Sequence, residues 1–151
     1  MLEAETPQDL ARHAGSALGT SRWFTITQEH IDQYAALTGD DFWVHVDQER
    51  ASREMPGGRT IAHGFFVLSL IPLLARDIFH IQRRGVGLNY GLNRVRYTAP
   101  VPVGSRVRLH QTLLRAEPAK GGTLFTFEDR CEIEGQERPA LLAEMLLLIY
   151  D

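Results

Sequence analysis

Cysteine is almost absent from this chain of 151 residues, and a single one, Cys131, cannot form an internal disulfide. A lone thiol is typical of a reducing compartment, so we expect a cytoplasmic protein. No basic region followed by an apolar run opens the chain, and we therefore expect no secretion signal. The longest apolar stretch, residues 61–74, contains glycine, proline and polar residues and is too short to span a bilayer.

A strong excess of charge is also missing. The net charge is −3 at pH 7, which gives no reason to expect a nucleic-acid partner. Apolar residues make up 44% of the chain and charged residues 23%, as in ordinary globular domains. With no repeat and no low-complexity linker, we expect one domain over residues 1–151. Residues 1–20 should form a largely irregular N-terminal extension, with at most a short helix near residues 11–14.

Capping residues and helical periodicity predict two helices in the first half of the chain. After a short strand at residues 21–26, Thr27 is a suitable N-cap for a helix that should end at Gly39 in a left-handed conformation. Asp47 is expected to cap a second, short helix that runs through Arg53. The segment between these two helices is therefore expected to be a turn.

A longer apolar segment then predicts a helix with no polar face. It starts near Gly64, and other structure should wrap it because no side of it suits water. Pro72 lies in its middle, removes a backbone hydrogen bond and should bend it. Alternating apolar residues after it predict four long antiparallel strands, with a change of phase near Asn93 that indicates a β-bulge.

Segments rich in glycine and proline separate these strands. Residues 100–104, 134–136 and the hairpin turn at Lys120-Gly121-Gly122 are the expected connections. The last strand, residues 141–150, is apolar on both faces and should be central or lie at an interface. The pattern indicates an α+β fold in which a curved antiparallel sheet wraps a long central helix.

Two carboxylates, two aromatic residues and a histidine lie within the eight residues TGDDFWVH, residues 38–45. Asp40 and His45 would offer a general base and a general acid or orienting group for one water, which adding water across a polarised double bond requires. In a helix these two residues would lie about 140° apart, so they converge only across a turn. Phe42 and Trp43 would then desolvate the carboxylate. The alternative is structural: Asp40 caps the helix end and His45 binds a backbone carbonyl.

His63 and Gly64 form a second candidate group at the start of the apolar helix. A glycine there lets a carbonyl oxygen approach free backbone N–H groups at the positive end of the helix dipole. A close contact between the helix and a strand would require a small residue equally well. We interpret His63 as structural rather than catalytic.

Four arginines share even positions on two consecutive predicted strands: Arg94, Arg96, Arg106 and Arg108. They would form one basic patch for the phosphates of a large anionic ligand. A solvated sheet face is the alternative interpretation.

Other chemistries find less support. His45, Asp47 and His63 have no recognised metal-ligand spacing, and there is no second cysteine to join them. A Ser–His–Asp triad lacks the Gly-x-Ser-x-Gly elbow, because Ser69 lies inside the apolar helix. Gly85-Val86-Gly87 is not followed by a helix, so it does not resemble a phosphate-binding loop.

Two blocks of the sequence resemble the signature of the MaoC-like, (R)-specific enoyl-CoA hydratases, a hot-dog-fold family. The first is YxxxTGDxxxxHxxxxxA at residues 34–51, and the second is TIAHGxxxxS at residues 60–69. More narrowly, WVHVD at residues 43–47, IAHGF at 61–65, NYGL at 89–92 with Arg96, and PVPVG at 100–104 resemble the nodulation-protein-N branch. The similarity extends from about residue 20 to the end of the chain.

The resemblance implies a single MaoC-like hot-dog domain and a homodimer whose sites lie near the subunit interface. It also implies a hydro-lyase of fatty acid metabolism that adds water reversibly and syn to trans-2-enoyl-CoA, giving (3R)-hydroxyacyl-CoA. The acyl-CoA thioester would be the substrate, with no metal and no other cofactor. Neither nucleic acid nor a membrane is expected as a partner.

The resemblance also assigns roles to residues. Asp40 would activate the water, and His45 would share the proton chemistry and position that water. The backbone N–H of Gly64 would polarise the thioester carbonyl. Further substrate-binding residues would be His63, Ser69, Tyr90, Gly91 and Arg96.

The chain departs from the family pattern between the acid and the histidine. Phe42-Trp43 stands where typical hydratases carry Asn-Pro, which removes a side-chain hydrogen bond and bears on substrate choice and activity. Asp41, beside Asp40, could exchange roles with it after a register slip, although the histidine spacing favours Asp40.

Three further alternatives stay open. A hot-dog acyl-CoA thioesterase would use a carboxylate to activate water without an obvious need for His45. A catalytically inactive acyl-CoA-binding protein would keep only the pocket. Apolar residues of the central helix would either line an acyl tunnel or fill the core: Phe65, Phe66, Leu68, Leu70 and Leu73.

Overall fold

The structure is a computed structural model that describes every residue except Lys120 and Asp151. Its helices are α1 (Pro7–Ala11), α2 (Gln28–Thr38), α3 (Trp43–Val46), α4 (Gln48–Glu54), α5 (Gly64–Ser69) and α6 (Ile71–Ala75). Its strands are β1 (Leu2–Ala4), β2 (Ser16–Thr20), β3 (Phe24–Thr25), β4 (Phe79–Ile81), β5 (Gly87–Tyr97), β6 (Arg106–Ala119), β7 (Gly122–Ile133) and β8 (Leu141–Tyr150). None of the helices in the described ranges is long and apolar enough to cross a membrane.

The main sheet has six strands, and its long strands are antiparallel. The order along the sheet is β2-β6-β7-β8-β5, and β3 pairs separately with β6. This confirms the four long strands predicted after the helices and the central place of β8. The register of β5 shifts between Leu92 and Arg94, as the predicted bulge near Asn93 requires, and shifts again between Asn89 and Gly91.

The hairpin between β6 and β7 turns through Gly121 at a φ of +80°, a conformation that favours glycine. Lys120, the first residue of the predicted turn, lies outside the described residues. The turn after β7 has Gly135 at a φ of +73°, in agreement with the prediction.

Capping residues define α2 and α4 where the sequence predicts them. The Thr27 side chain accepts a hydrogen bond from the backbone N–H of His30, and Gly39 ends α2 at a φ of +77°. Asp47 accepts from the backbone N–H of Arg50 at the start of α4. Both predicted helices are therefore confirmed, and Asp40 comes directly after the C-terminal cap of α2.

The apolar central segment forms two short helices instead of one long helix. Pro72 occupies the first turn of α6, where its missing N–H costs nothing, and Leu70 separates the two helices. The proline therefore breaks the helix where the sequence predicts a bend. The inner residues of this segment are buried against the sheet, as predicted for a wrapped helix: Phe66, Val67, Leu70, Ile71 and Leu74.

The N-terminal residues are more ordered than predicted. β1 pairs in parallel with β4, and β2 pairs with β6 in the main sheet, so the prediction of a largely irregular segment is wrong. The helix lies at Pro7–Ala11 instead of near residues 11–14, and Thr6 and Asp9 form a capping box at its start. The strand predicted at residues 21–26 is reduced to Phe24–Thr25.

The prediction of one arginine patch is also wrong. β7 and β8 separate β5 from β6, so Arg94 and Arg96 lie roughly 14 Å across the sheet from Arg106 and Arg108. The two arginines of β6 instead form ion pairs with glutamates on and after β7. Arg108 also lies over the ring of Trp23, 4.3 Å from its centre. The arginines share even positions on two strands that follow each other in the sequence. They are not close together, because β5 and β6 are not neighbours in the sheet.

Candidate active site

Asp40, His45 and His63 come together at the junction of three segments. One potential ligand atom of each side chain lies within 4.8 Å of those of the other two. Asp40 follows Gly39, His45 lies on α3, and His63 is the residue before α5. The predicted turn is confined to residues 40–42, because residues 43–46 form the short helix α3, and the angular separation expected within one continuous helix does not apply. The predicted convergence of Asp40 and His45 is therefore present, and Asp40 rather than Asp41 belongs to the cluster.

His45 is held in a defined tautomer. Its Nδ1 lies 2.7 Å from the backbone carbonyl oxygen of Ile61, and a carbonyl oxygen only accepts, so Nδ1 carries the proton. Burial lowers the pKa of His45 below its usual value; the bond to Ile61 opposes this, His63 lowers the pKa further and Asp40 raises it. The imidazole is therefore neutral near pH 7, and its Nε2 keeps a lone pair.

His63 supports the site from the interior. Only 2% of its surface is exposed, and its Nε2 donates to the backbone carbonyl of Asp40 over 2.8 Å. Its ring stacks on that of His45 at 3.8 Å between centres and 27° between planes, and the Tyr34 ring lies 4.9 Å away. These contacts agree with the structural interpretation of His63 and fix the backbone that carries the acid.

Asp40 and Phe42 are both exposed in the single chain. The Phe42 side chain is 59% exposed and packs on Trp43, and the guanidinium of Arg50 lies 4.1 Å from the Trp43 ring centre. The two aromatic residues therefore pack on each other and do not enclose the carboxylate. The predicted desolvation of Asp40 by its neighbours is absent within one chain.

A cavity of about 300 Å³ opens beside His45 and Gly64. Its walls are mostly small and apolar and include Ile61, Ala62, Val67, Ala99, Val101 and Ala140. Tyr97 also lines it and lies against α5, so that a Cβ on Gly64 would come within 2.9 Å of the tyrosine Cδ1. Gly64 thus has the close helix–strand contact considered above, and its position at the start of α5 also borders the cavity.

The apolar residues proposed for an acyl tunnel do not line this cavity. Phe66 and Leu70 are buried in the core, whereas Phe65 is 65% and Leu73 37% exposed. Leu68 is half-buried and packs against the core. The space next to His45 is instead bounded by the start of α5 and the residues after β5.

The remaining predicted binding residues do not join this cluster within one chain. The Ser69 hydroxyl donates to the carbonyl of Phe65 over 2.7 Å, one turn back in α5. The Arg96 guanidinium donates to the carbonyl of Val95 over 2.9 Å. Tyr90 and Gly91 are exposed on β5, roughly 20 Å along the strand from Tyr97. Their roles in binding stay predictions.

The cluster has side chains that can bind a divalent metal, since one potential ligand atom of each lies within 4.8 Å of the others. Each histidine already uses one ring nitrogen as a donor: Nδ1 of His45 donates to the carbonyl of Ile61, and Nε2 of His63 donates to the carbonyl of Asp40. The Nδ1 of His63, which is buried, has no hydrogen-bond partner among the described residues. Chemistry without a metal stays the prediction.

Sequence reasoning missed the residues that hold His45 in place. The Gln28 amide donates to the backbone carbonyl of His45, and its oxygen accepts from the hydroxyl of Thr60. These partners lie 17 and 32 residues away along the chain, so no local pattern signals them. The close helix–strand contact of Gly64 was considered from the sequence, but its partner, Tyr97, was not predicted.

Comparison with known proteins identifies related sequences over most of the chain. The family described as MaoC like domain matches residues 9–123. The 3-hydroxyacyl-thioester dehydratase Z of Mycobacterium tuberculosis is 46% identical over 144 residues, which cover 95% of each chain. Nodulation protein N of Rhizobium leguminosarum bv. viciae is 42% identical, covering 93% of this chain and 89% of the relative.

Solved structures share the fold. The (R)-hydratase PhaJ1 from Pseudomonas aeruginosa, in the unliganded form, aligns with a TM-score of 0.71 and 19% identity. The alignment covers 88% of this chain and 81% of that one. At this level of identity the likeness concerns the fold alone, and it confirms the predicted hot-dog architecture.

Proposed function

The chain belongs to the MaoC-like dehydratase family and is a hydro-lyase, and from this premise we propose that its substrates are acyl-CoA thioesters. The reaction is the reversible syn addition of water to a trans-2-enoyl-CoA, which gives a (3R)-3-hydroxyacyl-CoA. The observation that carries the proposal is the convergence of Asp40 with a neutral His45 beside an apolar cavity.

Asp40 and His45 supply two acceptors for one water molecule. The Nε2 lone pair of His45 accepts one O–H of the water, and the Asp40 carboxylate accepts the other. The water oxygen bonds to C3 as Asp40 removes a proton, and that proton is delivered to C2. Hydroxyl and hydrogen then arrive on the same face, and the reverse sequence expels water from the 3-hydroxyacyl thioester.

The thioester oxygen gains negative charge while water adds at C3. Gly64 begins α5, and a backbone N–H at the start of a helix points away from the helix with no intrahelical partner. That N–H donates to the thioester oxygen and lowers the energy of the enolate-like intermediate. The acyl chain then occupies the cavity beyond His45, whose walls include Ala62 and Ala140.

The proposal includes a homodimer. β5 is an edge strand of the sheet, and all its residues except Val95 are exposed in the single chain. Among them are Leu88, Leu92 and Tyr90, which are 45%, 42% and 63% exposed. Natural proteins rarely leave a long apolar edge strand uncovered, and a second copy of the chain can cover it. The proposed location is the cytoplasm, where a single thiol stays reduced.

The test is hydration of crotonyl-CoA and of a longer trans-2-enoyl-CoA by the purified protein. Loss of the conjugated-enoyl absorbance follows hydration, chiral analysis identifies the product, and titration of free thiol follows thioester cleavage. We expect a (3R) product without thiol release. Asp40→Asn and His45→Gln should each lower kcat/KM by about 10²-fold or more, whereas Asp41→Asn, the matched control, should retain activity.

Each other outcome identifies an alternative. Release of free thiol by the wild type would favour the thioesterase. Binding of acyl-CoA with no change in the enoyl group would favour a protein that has kept the pocket without turnover. Full activity in both folded variants would contradict the assigned roles.

A further inference from the structure

The Gln28 side chain joins three segments of the chain at the edge of the site. Its Nε2 donates to the His45 backbone carbonyl and to the Asp32 carboxylate, each over 2.8 Å. Its Oε1 accepts from the Thr60 hydroxyl over 2.6 Å. Because a carbonyl and a carboxylate only accept, both amide hydrogens are assigned and the orientation of the amide is fixed.

These hydrogen bonds form a closed path that passes through His45. The imidazole donates to the carbonyl of Ile61 over 2.7 Å, and Ile61 follows Thr60 in the chain. The backbone N–H of Ile61 donates in turn to the carbonyl of Val44, the residue before His45, over 3.0 Å. The path runs from Gln28 to His45, then to Ile61 and Thr60, and back to Gln28. It therefore holds both the backbone and the imidazole of the histidine.

This closed path of hydrogen bonds is shielded from water at Thr60. Only 1% of Thr60 is exposed, and Gln28 is half-buried, so removing either partner leaves a polar group without its hydrogen bond. The segment of Thr60 is itself fixed, because its carbonyl accepts from the backbone N–H of Val103 over 2.9 Å. The Gln28 amide is thus the bridge by which the start of α2 sets the position of α3.

We propose that Gln28 is a positioning residue for His45: its amide fixes the place of the imidazole relative to Asp40. It does not touch the reacting atoms and acts through the His45 backbone and through Thr60. The kinetic part of this inference rests on the proposed hydratase function. The structural part, the state of the His45 imidazole, does not.

The test compares Gln28→Met, which keeps the length of the side chain without its polar atoms, with the wild type. We expect kcat for enoyl-CoA hydration to fall about 10- to 100-fold, since small displacements of a catalytic group have effects of this size, and KM to change by less than about three-fold. The pKa of His45, followed by NMR titration, should rise toward its ordinary value as the imidazole becomes less buried. His63 and Asp40, the titratable groups beside it, are unchanged in this variant.

Gln28→Glu separates hydrogen bonding from packing. Its carboxylate still accepts from Thr60 but places an acceptor against the carbonyl of His45, so kcat should fall at least as far as in Gln28→Met. Gln33→Met is the matched control, because Gln33 lies on the same helix and its amide donates to the exposed Glu29 carboxylate over 3.1 Å, away from His45. It should leave both kcat and the His45 pKa unchanged.

Wild-type kcat and an unshifted His45 pKa in Gln28→Met would overturn the proposal, and so would equal effects in Gln33→Met. If Gln28→Met does not fold, Thr60→Val against Thr60→Ser decides, since only the serine keeps the hydroxyl that binds Gln28. Loss of kcat and a raised His45 pKa in the valine variant alone would support the proposal; no difference between the two would overturn it. If the wild type hydrates no enoyl-CoA, the proposed function fails, and the His45 titrations alone decide the inference.

Discussion

Asp129 is a carboxylic acid in the interior of the sheet. It is fully buried on β7, faces Gln111 on β6 and accepts from the Gln111 amide over 2.8 Å. The second Asp129 oxygen and the amide oxygen of Gln111 have no partner among the described residues. A proton on Asp129 supplies the one donor that this pair lacks. Burial raises the pKa of Asp129 to about 7, the bond from Gln111 opposes the rise, and the charge of Glu128 adds to it.

We predict that this carboxyl group makes stability depend on pH. Its pKa is higher in the folded than in the unfolded chain, so its contribution is greatest below about pH 4 and is lost as pH rises through about 7. The loss is bounded by about 4 kcal/mol. Asp129→Asn, whose amide can both donate to and accept from Gln111, should remove the dependence and raise the free energy of unfolding at pH 8.

Urea unfolding at pH 5 and pH 8 measures this effect. Asp41→Asn is the control, because Asp41 is an exposed carboxylate and its loss should leave the pH dependence of the wild type intact. Parallel pH profiles for wild type and Asp129→Asn would contradict the prediction, because they would mean that Asp129 has the same pKa in the folded and the unfolded chain.

At the scale of elements, local signals predicted what local interactions build. Thr27, Gly39 and Asp47 act within one turn of their helices, and each lies where its residue type predicted. β1 and β2 gain their order from strands far away in the chain, and the short sequence of β2 has no apolar alternation to reveal it. The same limit concealed Gln28, whereas Asp40 and His45 were found because their chemistry is concentrated in eight residues.

The contact between α5 and β5 allows the two interpretations of Gly64 to be separated. We predict that Gly64→Ala lowers kcat at least 10-fold, because its Cβ meets the Tyr97 ring at 2.9 to 3.1 Å and obstructs the cavity. The cost in stability should be about 1–3 kcal/mol, as for other overpacked sites. Melting temperature and enoyl-CoA hydration measure the two effects.

The double variant Gly64→Ala, Tyr97→Ala tells the two roles apart. Removing the ring gives the new methyl group room, so stability lost through the clash should return relative to Tyr97→Ala alone. If Gly64 also admits the thioester oxygen, kcat should stay low in the double variant. Recovery of both quantities would reduce the role of Gly64 to helix–strand packing.

At the scale of the whole molecule, the candidate site adjoins the C-terminal end of the exposed edge strand β5. Tyr97 ends β5 and lines the cavity beside His45, and Gly64 packs against it. Tyr90 and Gly91 lie on the same strand but too far along it to reach that cavity in one chain. If β5 paired in antiparallel fashion with β5 of a second copy, these two residues would lie beside the C-terminal half of the partner's strand. One chain alone therefore leaves the predicted binding residues divided.

We predict that the protein is a dimer formed through β5, with a mass twice the 17.0 kDa of one chain. Leu92→Lys places a charge on the exposed edge strand and should shift the protein to monomers, because burying an unpaired ammonium group in an interface is costly. Leu37→Lys is the matched control, since Leu37 is 85% exposed on α2, which is not part of the sheet that β5 borders. Light scattering after size exclusion at micromolar concentration measures the mass of each.

A monomeric wild type would exclude the dimer, and a dimeric Leu92→Lys variant would move the interface away from this edge. If activity falls together with dimer content, the site needs the second copy, and the roles of Tyr90 and Gly91 can then be tested in the dimer.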